Sequence, residues 1–294
     1  MKKNTRRKKV RAALAPPDYK TIVFAGGGSR CLWQVGFMDT VLPALRHKPA
    51  EITCVSAGAA MACLIYSGNK ERSLELFKSM TAANGKNFYP ERILSRQRAF
   101  PHYEMYRKIM LDSVDARGLA NIHKGPLLRV LLTRPPFWAG PRLATFAGIS
   151  AYYMERRISY PVHPRLTRKM AFKAEVVSVL ECKSPEELAD LILASSCTPP
   201  FTPILSWKGK TALDGGFIDN VPADFSLDQS SPMLILLTRR YDPRSIPAIP
   251  NRTYVQPSRD ITITKWDYTN PAGLDEAYRL GVGDGESFLA RMAP

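Results

Sequence analysis

Ser56 stands in Cys54-Val55-Ser56-Ala57-Gly58, between an apolar run that ends at Val55 and a run of small residues from Ala57 to Ala60. Such a strand-to-helix turn points the hydroxyl out of the backbone, while the N–H groups of the helix start face an anion developing beside it. Gly26-Gly27-Gly28-Ser29-Arg30 follows another short apolar run, and Asp214-Gly215-Gly216 follows a third. N–H groups on a glycine loop can hold a tetrahedral oxyanion, and a carboxylate can take a hydroxyl proton. Together the stretches supply a nucleophile, an oxyanion cradle and a base, which is the chemistry of a serine hydrolase.

Each stretch alone has a plainer reading. Ser56 could be a helix N-cap, and the G-x-S-x-G form is broken by Cys54. The glycine loop could seat the pyrophosphate of a dinucleotide, although Cys31 stands at the third glycine of G-x-G-x-x-G and no acidic residue ends the next strand. Asp214-Gly215 could be a hairpin turn. The four histidines, His47, His102, His123 and His163, have no motif-like setting, so a Ser-His-Asp triad finds no base. Direct proton transfer to a carboxylate is the simpler scheme, with Asp214 as base and Asp219 as the second candidate.

The elements around these groups are partly legible. Thr21 to Ala25 reads as a buried strand, and Leu32, Val35, Met38, Val41, Leu42 and Leu45 as a helix perturbed by Pro43. Ile52 to Val55 and Ala57 to Tyr66 repeat the strand-helix plan. Alternation of this kind predicts a parallel sheet with helices on both faces. Phe172 to Leu180 is strand-like; Ser184-Pro185-Glu186-Glu187 caps a helix from Pro185 to Ser196; Ile204–Trp207 and Thr211–Leu213 form a hairpin leading to Asp214. Met233–Thr238 and Ile261–Trp266 read as further strands, and 271–293 as a helical region broken near Gly281 to Gly285. Residues 70–170 lack long periodic runs and read as an insertion or cap within a hydrolase domain spanning 20–294.

The joint pattern resembles the patatin-like phospholipase family. The resemblance rests on Gly26 to Arg30 followed by Trp33-Gln34-Val35-Gly36, on Ser56-Ala57-Gly58, on Ala194-Ser195-Ser196 with Pro199-Pro200-Phe201, and on Asp214-Gly215-Gly216 with Asn220-Val221-Pro222. It implies a three-layer α/β/α sandwich with a mostly parallel central sheet. It also implies a Ser–Asp dyad: Ser56 is acylated, Asp214 is the base, and Gly26, Gly27, Gly28, Ser29 and Arg30 form the oxyanion hole. The implied substrates are carboxylic esters of phospholipids or lysophospholipids, with no cofactor. Cys31 and Cys54 replace glycines usual in the family, which strains close backbone approach and leaves a catalytically silent lipid-binding protein as the alternative.

The remaining composition narrows partners and setting. Net charge is +16 over 294 residues, and seven cations fall within the first eleven, so residues 1–19 read as a basic tail. Anionic lipid or nucleic acid could attract it. No nucleic-acid motif accompanies the charge, and nucleic acid is not expected as a partner. Residues 134–157, rich in aromatic and Arg side chains, read either as core or lid packing or as a patch that touches a lipid surface with the tail. No signal peptide or membrane-spanning run is read, and the five cysteines show no disulfide or metal spacing, which fits a cytoplasmic protein, with peripheral membrane contact and without a metal.

Overall fold

The computed structural model describes residues 18–136, 140–158, 162–163 and 166–292. The basic tail as far as Pro17, and Phe137 and Trp138 of the aromatic stretch, lie outside the described residues. β1 (Thr21–Phe24) runs into the glycine loop and α1 (Leu32–Val41), which ends just before Pro43; β2 (Glu51–Val55) runs through Ser56 into α2 (Ala57–Ser67). Next come α3 (Lys70–Ala83), α4 (Glu91–Leu94), α5 (His102–Ser113), α6 (Ala116–Lys124), β3 (Leu127–Arg134), α7 (Pro141–Ile158) and α8 (Leu166–Lys169). They are followed by β4 (Lys173–Ser178), α9 (Pro185–Ser195), the hairpin β5 (Leu205–Trp207) and β6 (Lys210–Asp214), and α10 (Gly216–Asp219). The chain closes with β7 (Met233–Leu236), β8 (Arg252–Val255) and α11 (Pro271–Met292).

Eight strands make one sheet in the order β5-β6-β3-β2-β1-β7-β8, with β4 also paired to β3. β3, β2, β1, β7 and β8 are mutually parallel, β4 and β6 run antiparallel to β3, and β5 antiparallel to β6. Strand side chains alternate between faces. Ile22, Phe24, Ile52, Val130 and Leu234 enter a core shared with α1, α2, α5, α9 and α11. Val23, Ile235, Val55 and Leu131 face the other way, and there Val55 and Leu131 share a cluster with Phe217 of α10 and the adjoining Ile149 of α7. Burial on both faces explains why the parallel strands read as continuous apolar runs. The result is an α/β/α sandwich with a mostly parallel sheet.

Three stretches differ from the sequence reading. Residues 127–134, inside the stretch read as a cap, are β3, a central strand. Arg129 hides it by interrupting the apolar run; its guanidinium donates to Glu51 Oε1 (3.1 Å) and to the Phe225 carbonyl (2.7 Å). Ile261–Trp266 is a loop and not a strand, and the sheet edge is β8. It lies against the glycine loop, where the Lys265 carbonyl accepts the Ser29 N–H at 3.2 Å.

Finally, α11 is unbroken. A Cβ on Gly281 would sit 2.1 Å from the Trp33 carbonyl, and one on Gly36 would sit 2.0 Å from the Tyr278 carbonyl, so glycines let α1 and α11 touch backbone to backbone. Each glycine costs a helix about 1 kcal/mol, which this packing offsets. Around the crossing, Trp33 stacks on Phe37, Phe37 meets Phe288 edge-on, and the Trp33 indole donates to Asp284 Oδ2 at 2.7 Å.

Candidate active site

β2 ends at Val55 and α2 begins at Ala57, leaving Ser56 in the turn at φ 53° and ψ −136°. A non-glycine residue held there stores about 1–3 kcal/mol of strain. Two bonds restrain it: the Ser56 N–H donates to Ser195 Oγ (2.8 Å), and Ser195 Oγ donates to the Leu131 carbonyl (2.8 Å). Ser195 closes α9 and Leu131 lies on β3, so the turn is braced from two other elements.

Asp214 ends β6 and is tied to the same α9 segment, its N–H donating to the Cys197 carbonyl at 2.8 Å and the Gly215 N–H to the Ser195 carbonyl at 3.1 Å. Ser56 Oγ donates to Asp214 Oδ2 at 3.0 Å, Thr198 Oγ1 donates to the same oxygen at 3.2 Å, and the Gly216 N–H donates to Oδ1 at 2.7 Å. The carboxyl lines a small cavity. Burial pushes its pKa above the ordinary 3.8, while the Gly216 N–H, the Lys265 cation and the two hydroxyls pull it partly back.

The glycine loop is narrower as a cradle than its sequence suggests. The Gly26 N–H donates to the Asn220 carbonyl (3.0 Å) and the Ser29 N–H to the Lys265 carbonyl (3.2 Å), so neither faces a substrate. Ser29 is buried, with its hydroxyl on the Asp267 carbonyl at 3.0 Å. That leaves the N–H groups of Gly27, Gly28 and Arg30, and the first two peptides are oriented through the preceding carbonyls. Gly26 O accepts from Asn220 Nδ2 (2.8 Å) and Thr238 Oγ1 (2.7 Å); Gly27 O accepts from Arg30 Nε (3.4 Å). In a trans peptide the next N–H points the opposite way. Gly28 has φ +59°, and a Cβ there would lie 2.0 Å from the Lys265 carbonyl, so the position needs glycine.

The cavity before Ser56 offers about 40 Å³ to water-sized molecules. Its wall includes Arg30, His102, Arg239, Lys265, Trp266 and Tyr268. Phe201 stacks on Trp266 with ring centroids 4.1 Å apart, and Phe100 and His102 pack edgewise against Phe201. His102, without a role in the sequence reading, donates from Nε2 to the Trp266 carbonyl at 2.8 Å; burial lowers its pKa, and its Nδ1 is buried without a hydrogen-bond partner among the described residues. Ser195 and Asn220 stand in blocks the sequence singled out; Thr198, His102, Thr238, Arg239 and Lys265 carry no motif and come together only in the fold.

Asp219, the second candidate base, does not line the cavity. It is the buried last residue of α10, with Oδ2 on His163 Nδ1 (2.9 Å) and Oδ1 accepting the Val221 N–H (2.9 Å). His163, Asp219 and Asp224 bring metal-type donor atoms within 4.8 Å of one another. Protein groups already engage them: Arg252 donates to Asp224 at 2.8 Å, and His163 Nε2 meets the Tyr254 hydroxyl at 3.2 Å. Cys31 has ordinary helical backbone angles, with φ −66°, and Cys54 lies within β2. Neither adopts positive φ, and their thiols approach the Ala25 and Arg129 carbonyls at 3.6 and 3.3 Å. Burial pushes both thiols well above their usual pKa, which keeps them protonated.

The family description "patatin-like phospholipase" matches residues 22–227, which contain all the motif blocks. The chain belongs to the patatin-like phospholipase family. Among solved structures this patatin-like chain is similar to VipD from Legionella pneumophila, at 13% identity and a TM-score of 0.44, covering 95% of this chain and 68% of that one. It is also similar to the type III effector protein ExoU, at 12% identity and a TM-score of 0.40, covering 95% of this chain and 54% of that one. No curated protein sequence matches it. In this patatin-like protein the residues past 227 still complete the site, because Thr238, Arg239, Lys265, Trp266 and Tyr268 all come from there.

Proposed function

We propose that this protein is a serine lipid acyl hydrolase that cleaves carboxylic esters of phospholipids or lysophospholipids through a Ser–Asp dyad. The observation that carries the reading is the Ser56 Oγ to Asp214 Oδ2 hydrogen bond of 3.0 Å at a strained turn facing the glycine loop. Asp214 takes the Ser56 proton as Oγ attacks the ester carbonyl. The oxyanion meets the Gly27 and Gly28 N–H groups and the N-terminus of α2; one such donor stabilises the transition state by about 3–4 kcal/mol. Asp214 returns the proton to the leaving alcohol, and water, deprotonated in turn by Asp214, releases the fatty acid from Ser56. The backbones of Cys31 and Cys54 are unstrained, so nothing there favours the silent alternative.

The lipid surface is met by α7. Leu143, Phe146 and Met154 are 63, 71 and 53% exposed along one side of it, while Gly148 and Ile149 on the other side rest near Phe172 and the cluster under the catalytic turn. An apolar helix face on a chain of net charge +16 suits the boundary of an anionic membrane. Among the described residues no helix is long and apolar enough to cross one.

Labelling with a fluorophosphonate ester, read by intact mass, tests the dyad. A single adduct on the wild type that disappears in folded Ser56→Ala and Asp214→Ala supports it; a folded wild type that takes no adduct, even with anionic vesicles present, overturns it.

A further inference from the structure

The cavity before Ser56 is too small for an acyl ester. Its 40 Å³ is room for a few waters, whereas sites that enclose an organic ligand span about 300–1,000 Å³. A reacting ester carbonyl needs little more than that, but the chain behind it needs far more, so part of the wall has to give way. The part made by the glycine loop is backbone pinned by Asn220, Thr238 and Lys265. It cannot move without losing the groups that would hold the oxyanion.

The aromatic part of the wall is different, because it continues outward as a file of rings. Trp266 lines the cavity, Phe201 stacks on it at 4.1 Å with the planes 8° apart, Phe100 meets Phe201 at 4.9 Å, and Phe88 meets Phe100 at 5.0 Å. The outer end reaches the surface, where Phe88 is 43% exposed and Leu94, from the same loop, 92%. The backbone around the file is tied together: the Tyr268 N–H donates to Asn87 Oδ1 (2.8 Å), Asn87 Nδ2 to Asp267 Oδ1 (3.2 Å), and Arg98 Nη2 to the Pro200 carbonyl (3.4 Å). The rings inside that frame are held by packing. Trp266 Nε1–H and His102 Nδ1 are both buried without a hydrogen-bond partner among the described residues. A buried indole N–H usually has one, and leaving it unmatched is unfavourable. Turning the Trp266 ring breaks no side-chain hydrogen bond and offers its N–H to water or to an ester oxygen.

We propose that the acyl chain enters along this aromatic file, with the Phe201–Trp266 stack as its gate, so that Phe201 governs which chain lengths reach Ser56. This rests on the acyl-hydrolase reading above and adds to it the route of the chain and the side chain that controls it. The exchange is favourable in kind: an alkyl chain takes the place of rings against the same apolar surroundings, and that attraction has no direction to satisfy.

The test labels Ser56 with two fluorophosphonates, one bearing an ethyl chain and one a decyl chain, both monomeric in solution, and follows the two rates by intact mass. In folded Phe201→Ala the decyl-to-ethyl rate ratio is expected to rise about tenfold over the wild type, the equivalent of burying about two further methylenes. Phe201→Leu, a milder truncation, should move the ratio the same way by less, and it carries the test should the alanine variant fail to fold. A ratio unmoved or lowered in a folded variant overturns the gate. So does a ratio that rises only because the ethyl probe reacts more slowly, since that marks a disturbed turn at Ser56 rather than an opened passage. In either case a wild type that still labels leaves the acyl-hydrolase reading in place. A folded wild type that takes neither probe overturns both.

Discussion

Ser195 Oγ accepts the Ser56 N–H and donates to the Leu131 carbonyl, each at 2.8 Å, so the strained turn at Ser56 is suspended between the end of α9 and a central strand. Ser195→Ala removes that bridge and leaves two buried backbone groups unmatched. It is expected to destabilise the fold by about 1–3 kcal/mol in urea denaturation and to slow fluorophosphonate labelling of Ser56. A variant of unchanged stability and labelling rate would show that the turn holds itself.

Asp214→Asn should abolish turnover and raise the unfolding midpoint at neutral pH. The sign follows from burial: the folded pKa lies above the ordinary 3.8, so the stability this group gives in acid is lost as pH rises through the folded value. A neutral amide escapes that loss while still pairing with the Gly216 N–H and the Ser56 hydroxyl. Loss of activity with a lowered midpoint would contradict it.

The acid limb of kcat/KM should report Asp214 losing its proton, with a midpoint above 3.8. Lys265 lowers that pKa, so Lys265→Met should move the limb to higher pH; Thr198→Val, which deletes a donor to Oδ2 at 3.2 Å, should do the same. The profile is measured on a soluble nitrophenyl ester, and a downward shift in either variant counts against Asp214 as the base.

Two glycines make a paired test. Gly28→Ala meets both φ +59° and the Lys265 carbonyl at 2.0 Å, and should cost several kcal/mol or prevent folding. At Gly283, exposed on α11, an added Cβ meets nothing within 4 Å, and Gly283→Ala should stabilise the protein by about 0.5–1 kcal/mol. Thermal unfolding of both decides; equal effects would refute the packing given for the loop.

On α7, Phe146→Asp places a charge at a side chain 71% exposed. Sedimentation with anionic vesicles should fall severalfold, while hydrolysis of the soluble ester stays within twofold. Unaltered vesicle binding would move the lipid contact elsewhere on the surface.

The strands and turns carrying Ser56, the glycine loop and Asp214 were legible because each is local: an apolar run halted by small residues. β3 was not, since Arg129 breaks its pattern, and that charge makes sense only once Glu51 and the Phe225 carbonyl are brought against it. The glycines of α11 read as a break because the sequence gives no sign of the helix α1 waiting 245 positions away, as with Gly36 and Gly281. Within the loop, which N–H groups face a substrate depends on Asn220 and Lys265, remote in sequence from the glycines they engage. Neither Asp219's burial at the end of α10, away from the cavity, nor His102's place in the cavity wall could be read from spacing.

The backbone contact of α1 with α11 makes the protein indivisible at the place where its recognisable portion stops. A fragment ended at residue 227 would keep every motif residue, yet it would lose β7 and β8, the Thr238 hydroxyl over the loop, the Lys265 carbonyl under it, and the helix against which the first helix is seated. Ser56 and Asp214 would survive as letters without a scaffold to aim them. Engineering or swapping of this chain therefore has to treat the residues past 227 as part of the unit that holds Ser56 and Asp214 in place.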